Sequence, residues 1–136
     1  MLIKTMRESK IILSILFVTW SLVIIVLTVI PSVESPLPSV SFLDKLAHIG
    51  QYFLFSLFYY LMRRSYSRDE AYILKEIIIL SLILPLLTEL IQIPIPGRTF
   101  CLLDILANYI GFMIVIVYLK YRINNKLRLS YEKESS

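Results

Sequence analysis

The chain has 136 residues, of which 57% are hydrophobic and only 18% charged, and its mean hydropathy is +0.75. A water-soluble domain carries about a quarter charged residues, so this composition excludes a solvated globule and leaves one small membrane domain. The net charge of +4 is spread in short blocks between apolar runs, which argues against a nucleic-acid-binding stripe.

The first apolar run, Ile11 to Ile30, holds no charge and follows Lys4, Arg7 and Lys10. Twenty residues at 1.5 Å each cross a hydrocarbon core of about 30 Å. A cleaved signal peptide would show a shorter apolar region and an A-x-A-like site. Pro-Ser-Val-Glu-Ser follows instead, so a retained helix is expected over 11–30. Pro31, Ser32, Ser35, Pro36, Pro38, Ser39 and Ser41 predict a loop from Pro31 to Leu43.

The second run, Leu46 to Met62, opens on Asp44-Lys45 and closes on Arg63 and Arg64. Asp44 suits the positive end of a helix dipole, so capping is one reading of it. The third run spans Tyr72 to Gln92. Lys75 can snorkel from its first turn, and Pro85 predicts a kink because it lacks the donor for the Ser81 carbonyl. Ile93-Pro-Ile-Pro-Gly97 ends it. The fourth run, Leu102 to Leu119, leads into a basic, polar tail that reads as solvated and disordered beyond Asn124. The expected architecture is all-α: a four-helix transmembrane bundle with helices near 11–30, 45–62, 72–92 and 102–120. Residues 1–123 form the membrane domain and 124–136 the tail.

Orientation follows from basic residues in short loops. Lys4, Arg7 and Lys10, then Arg63, Arg64, Arg68 and Lys75, then Lys120, Arg122, Lys126, Arg128 and Lys133 all fall on one side. Lys45 and Arg98 alone fall on the other. Both termini are therefore expected in the cytoplasm.

Ionisable groups at mid-bilayer cost about 2.5 to 3.5 kcal/mol each, so their placement carries information. Asp44, His48 and Tyr52 are four apart and share a helix face, with Gln51 and Tyr59 close to the same stripe. Glu89 and Gln92 are neighbours three apart. Asp104, Asn108 and Gly111 form one stripe. Given the orientation, all lie in the outer third of the membrane, on three helices and beside Arg98. The planar fork of Arg98 suits a carboxylate, which predicts a bridge to Glu89 or Asp104. Gly111 is expected to let another helix backbone approach. The bland reading of the set is a polar clasp between helices. Tyr52, Tyr59 and Tyr109 read first as packing residues, and His48 as a hydrogen-bonding core residue.

The segments Asp44-Lys45-Leu-Ala-His48-Ile-Gly-Gln-Tyr52, Glu89-Leu-Ile-Gln92, and Arg98 followed by Asp104, Asn108 and Gly111 resemble the D-K-x-x-H-x-x-x-Y, E-x-x-Q and R-(x)5-D-x-x-x-N-x-x-G motifs of the VanZ-like membrane proteins. Cys101 and Val115 depart from that pattern, where a small polar or acidic residue and a second glycine are common. The resemblance implies a bacterial envelope protein in the cell membrane. The family's namesake is linked to low-level resistance to teicoplanin.

Three functions follow as expectations. The first is a non-enzymatic protein whose outer polar set (Asp44, Lys45, His48, Tyr52, Glu89, Gln92, Arg98, Asp104 and Asn108) acts on lipid-linked cell-wall material or a glycopeptide. Its partners would be membrane lipids and such a precursor, with no nucleic acid, and a homo-oligomer is compatible. The second is a membrane-embedded enzyme using His48, Glu89 and Asp104 for acid–base chemistry or as a metal site. The sequence shows no paired nucleophile, phosphate-cradling loop or multi-ligand metal signature, so no metal or cofactor is assigned. The third is a small transporter or channel component. The absence of a polar path to the cytoplasm counts against it.

Overall fold

The computed structural model describes residues 2–31, 38–67 and 69–134. The described chain is four helices with no strand: α1 (Leu2–Val29), α2 (Pro38–Tyr66), α3 (Glu70–Gln92) and α4 (Leu102–Glu134). Three of them, α1, α3 and α4, are long and apolar enough to cross a membrane.

Three boundaries differ most from the sequence expectation. Helix α2 starts at Pro38, inside the expected loop. Proline is tolerated in a first helical turn, where its missing N–H would have no partner. Residues 32–37 of that loop lie outside the described residues. Asp44 therefore sits within α2 and does not cap it. Helix α4 runs on through the expected disordered tail to Glu134. Its 33 residues reach about 50 Å, so the last turns extend past a 30 Å core. Helix α1 begins at Leu2, well before Ile11.

Among the described residues α2 has no apolar stretch of membrane-spanning length, and packing explains how it is accommodated. It lies against α1, α3 and α4, and every residue from His48 to Arg63 is at least partly buried. Its polar side chains thus face protein rather than the surroundings. Helix α3 packs on α4 and, less closely, on α1 and α2; among the described residues the backbones of α1 and α4 stay apart. Helix α1 instead exposes Ile11, Ile15, Val18, Leu22, Ile25 and Val29, an apolar face suited to lipid. Helix α3 buries one stripe, Ile73, Ile77, Ser81, Pro85, Glu89 and Gln92, at the three-to-four spacing of a packed helix face. It stays helical through Pro85.

The middle of the bundle is apolar. Tyr52, Phe55, Ile73, Ile77, Phe112, Val115 and Leu119 are buried together. Tyr52 and Phe55 meet the Phe112 ring at centroid distances of 5.4 and 5.9 Å. Val115 fills this core, so the departure from glycine there costs no packing. Trp20 donates its indole N–H to the Gln51 carbonyl at 2.9 Å and ties α1 to α2.

The tightest contact is at Gly111. A Cβ placed there would lie 2.5 Å from the Ile49 carbonyl oxygen and 2.8 Å from the Phe53 nitrogen. Both are backbone atoms, so α2 would have to move. The expectation of close helix approach at Gly111 is met. Gly111→Ala is expected to destabilise the fold by about 1–3 kcal/mol through overpacking. Gly50, also in α2, has open space around it, and Gly50→Ala should be neutral or stabilising by up to about 1 kcal/mol. Thermal melts of both variants in detergent check this; equal melting temperatures would refute the packing role.

Candidate functional site

Polar side chains gather at both ends of the bundle. At one end, α2 supplies Asp44, Lys45, His48, Gln51 and Tyr52. Helix α3 supplies Thr88, Glu89 and Gln92, and α4 supplies Asp104 and Asn108. Arg98 enters from the turn between α3 and α4.

The α2 and α4 members meet directly. The Lys45 ammonium lies between two carboxylates, 3.0 Å from Asp44 Oδ2 and in contact with Asp104 Oδ1. His48 Nδ1 is 3.0 Å from Asn108 Oδ1, and an amide oxygen only accepts, so Nδ1 is the donor. His48 Nε2 then points between Asp44 Oδ1 and Asp104 Oδ2, 3.9 Å from each. The four-residue spacing of Asp44, His48 and Tyr52 puts them on the face that meets α4. One turn further along, Tyr52 and Thr88 hydroxyls are 2.7 Å apart and join α2 to α3. Thr88 also donates to the Leu84 carbonyl at 3.0 Å, so the phenol donates to Thr88.

Glu89 and Arg98 do not behave as the sequence predicts. Glu89 is 1% exposed, yet its partner is the backbone N–H of Cys101, 2.6 Å from Oε1. Cys101 immediately precedes α4, where the unpaired N–H groups and helix dipole attract an anion. Glu89 thus caps the next helix. Arg98 reaches the opposite way. Its Nη2 donates to the Leu27 carbonyl at 3.0 Å and its Nε to the Ile30 carbonyl at 3.3 Å. These are end carbonyls of α1, which has no basic residue of its own in its last turn, and a cation there offsets the negative helix end. The predicted bridge from Arg98 to Glu89 or Asp104 is therefore replaced by two helix-terminus contacts. The turn makes this possible: Gly97 takes φ 75°, a left-handed conformation natural to glycine, and reverses the chain just before Arg98.

Between these groups lies a cleft of about 150 Å³. Asp44, His48, Gln51, Tyr52, Gln92, Arg98 and Asn108 line it, together with Leu27, Thr28, Ala47 and Thr88. Of the residues predicted for the site, Lys45, Glu89 and Asp104 do not line the cleft; Lys45 pairs with Asp104 and Glu89 with the Cys101 amide. Thr28 and Thr88 were not singled out from the sequence. Single hydroxyls in apolar runs carry no pattern, although Thr88 does sit beside Glu89.

The other end holds a cluster that charge counting alone reads as topology signals. Glu70 is buried, and Arg122 Nη2, Lys126 Nζ and Arg64 Nε lie 3.1, 2.9 and 3.6 Å from it. Tyr60 accepts from Arg122 at 2.7 Å. Arg63 grips Glu76 through two 2.8 Å bonds. The clue in the sequence is two carboxylates, Glu70 and Glu76, at the mouth of an apolar run facing many arginines.

Sites that share no partner contribute additively. Arg98→Gln and Glu89→Gln should therefore destabilise the protein independently, with a coupling within about 0.5 kcal/mol. Lys45→Met and Asp104→Asn should couple more strongly than that. A double-mutant cycle read by thermal unfolding checks both. Strong coupling between positions 98 and 89 would restore the direct bridge.

No curated protein and no solved structure matches the chain. The sequence pattern of the VanZ/LLP1 family matches residues 3–123, a stretch that reaches into all four helices and holds every residue of the cleft. With three helices apolar enough to cross a membrane, the chain belongs to the VanZ/LLP1 family of membrane proteins.

Proposed function

We propose that this protein lies in the bacterial cell membrane with both termini in the cytoplasm, and that its cleft holds the polar headgroup of lipid-linked cell-wall material on the extracytoplasmic side. The observation that carries this is the cleft itself: donors and acceptors from three helices and a turn converge beside apolar faces suited to lipid. The residue bias of lysine and arginine supports the orientation.

Size narrows the ligand. Drug-sized molecules occupy roughly 300–1,000 Å³, whereas this cleft is about 150 Å³. It suits a phosphate or the edge of a sugar, and not a whole glycopeptide. An effect on teicoplanin would then act through the lipid-linked target. Arg98 uses two N–H donors on α1, and a guanidinium has five, so donors remain for a phosphate oxygen.

The alternatives are less well supported. An acid–base enzyme would use Glu89, which is engaged by the Cys101 amide. A transporter needs a polar path, and the bundle middle is filled by Phe55, Ile77, Phe112 and Leu119.

Two measurements test the reading. Nanodiscs containing the protein should bind a polyprenyl diphosphate, detected by native mass spectrometry, and Gln92→Leu and Arg98→Gln should each weaken binding by about tenfold, the value of one good hydrogen bond to a charged group. No binding by the folded protein would refute the ligand. A reporter enzyme active only in the cytoplasm, fused after Gly97, should be silent; activity there would refute the orientation.

A further inference from the structure

We infer that Asp44, His48 and Asp104 form a binding site for a divalent transition-metal ion in the wall of the cleft. Three ligand atoms converge from two helices: one imidazole nitrogen and one oxygen from each carboxylate, all within 4.8 Å of one another. Around an ion with bonds of about 2.1 Å, tetrahedral ligands stand roughly 3.4 Å apart. His48 Nε2 is 3.9 Å from each carboxylate and no two of the three atoms are more than 4.8 Å apart, so side-chain shifts of about half to one and a half ångströms form the shell.

The second observation is the orientation of His48. Its side chain is 12% exposed, and Nδ1 donates to Asn108 Oδ1. That bond leaves Nε2 as the atom facing the carboxylates. In a neutral imidazole the Nε2 lone pair then faces two anionic oxygens, an arrangement that a cation between them resolves. Metal-bound histidines characteristically donate their other N–H to a carbonyl or carboxylate in this way.

Charge points the same way. Asp44 and Asp104 carry two negative charges, and Lys45 neutralises one. The trio therefore keeps one excess negative charge, with His48 and Asp104 largely buried and Asp44 open to the cleft. Lys45 is a built-in competitor for the ion, because its ammonium bridges the same two carboxylates. Mixed nitrogen and oxygen ligands suit Mn²⁺ or Zn²⁺ better than a purely oxygen-seeking ion. Asp44 and His48 also line the cleft, so the open coordination positions face it. A phosphate oxygen would complete the shell there, a step that rests on the headgroup reading; the metal site itself does not.

The test is a Mn²⁺ titration of the full-length protein in detergent without added lipid, followed by electron paramagnetic resonance. The expected result is one saturable ion per chain, displaced by Zn²⁺. Asp44→Asn and His48→Gln should each weaken it by more than about tenfold, and Lys45→Met should tighten it by about as much. Thermal melts establish that each variant is folded; should His48→Gln not fold, Asp44→Asn decides, since its side chain is the most exposed of the three. No saturable binding to the native chain would overturn the site, as would binding unchanged by Asp44→Asn. Binding confined to Lys45→Met would also overturn it, and would show that the lysine closes the site in the native protein. A native chain that binds polyprenyl diphosphate but no Mn²⁺ would refute this inference and leave the headgroup reading intact.

Discussion

The contact between α2 and α4 at Gly111 sets the geometry on which the polar end depends. With no side chain at that position, the backbones meet where a Cβ would strike Ile49 and Phe53. Asn108 is one turn from Gly111, and His48 is beside Ile49. The same close approach therefore brings Asn108 within 3.0 Å of His48 and Asp104 onto Lys45. A larger residue at 111 would separate these short side chains, which have little reach of their own. Close approach through small residues is a general device where helices associate without a hydrophobic drive. Here it also sets the spacing of a charged cluster.

The second constraint is the satisfaction of helix ends. A buried helix terminus leaves backbone groups that need partners. Glu89 meets the start of α4 and Arg98 meets the end of α1. Each of these charges is stabilised by a helix dipole of opposite sign, which lets both remain near an apolar interior without pairing with one another. The pair thereby fixes α3 to α4 and the connecting turn to α1, and the cleft lies between those attachments. Bracing and lining thus fall to different residues: Lys45, Glu89 and Asp104 tie the helices together, while His48, Gln51, Gln92 and Arg98 line the cavity.

The two polar ends differ in charge. The Glu70 end gathers three cations on one carboxylate and is strongly basic. The His48 end is close to balanced, with an excess of carboxylate around His48. Between them the aromatic and aliphatic core separates the clusters. Ion pairs at either end gain from the low dielectric of their surroundings but depend on complete pairing, and this explains why the charged residues occur as sets.

Much of this was legible in the sequence. Four predominantly apolar runs of roughly twenty residues can only be satisfied as helices in an apolar medium, because backbone groups must pair internally. The spacing of Asp44, His48 and Tyr52, and of Asp104, Asn108 and Gly111, placed each trio on one face because a helix repeats every 3.6 residues. What periodicity cannot supply is the partner across a gap of many residues. Arg98 finds carbonyls about seventy positions away, and Glu89 finds a backbone amide that has no side-chain signature. The helical continuation of α4 and the early start of α2 at Pro38 were likewise hidden, since solvated polar segments read alike whether helical or not. Local spacing determined which residues share a face. Only the tertiary structure decided which faces meet, because that depends on how closely backbones can approach and on which helix ends lie within reach of a charge.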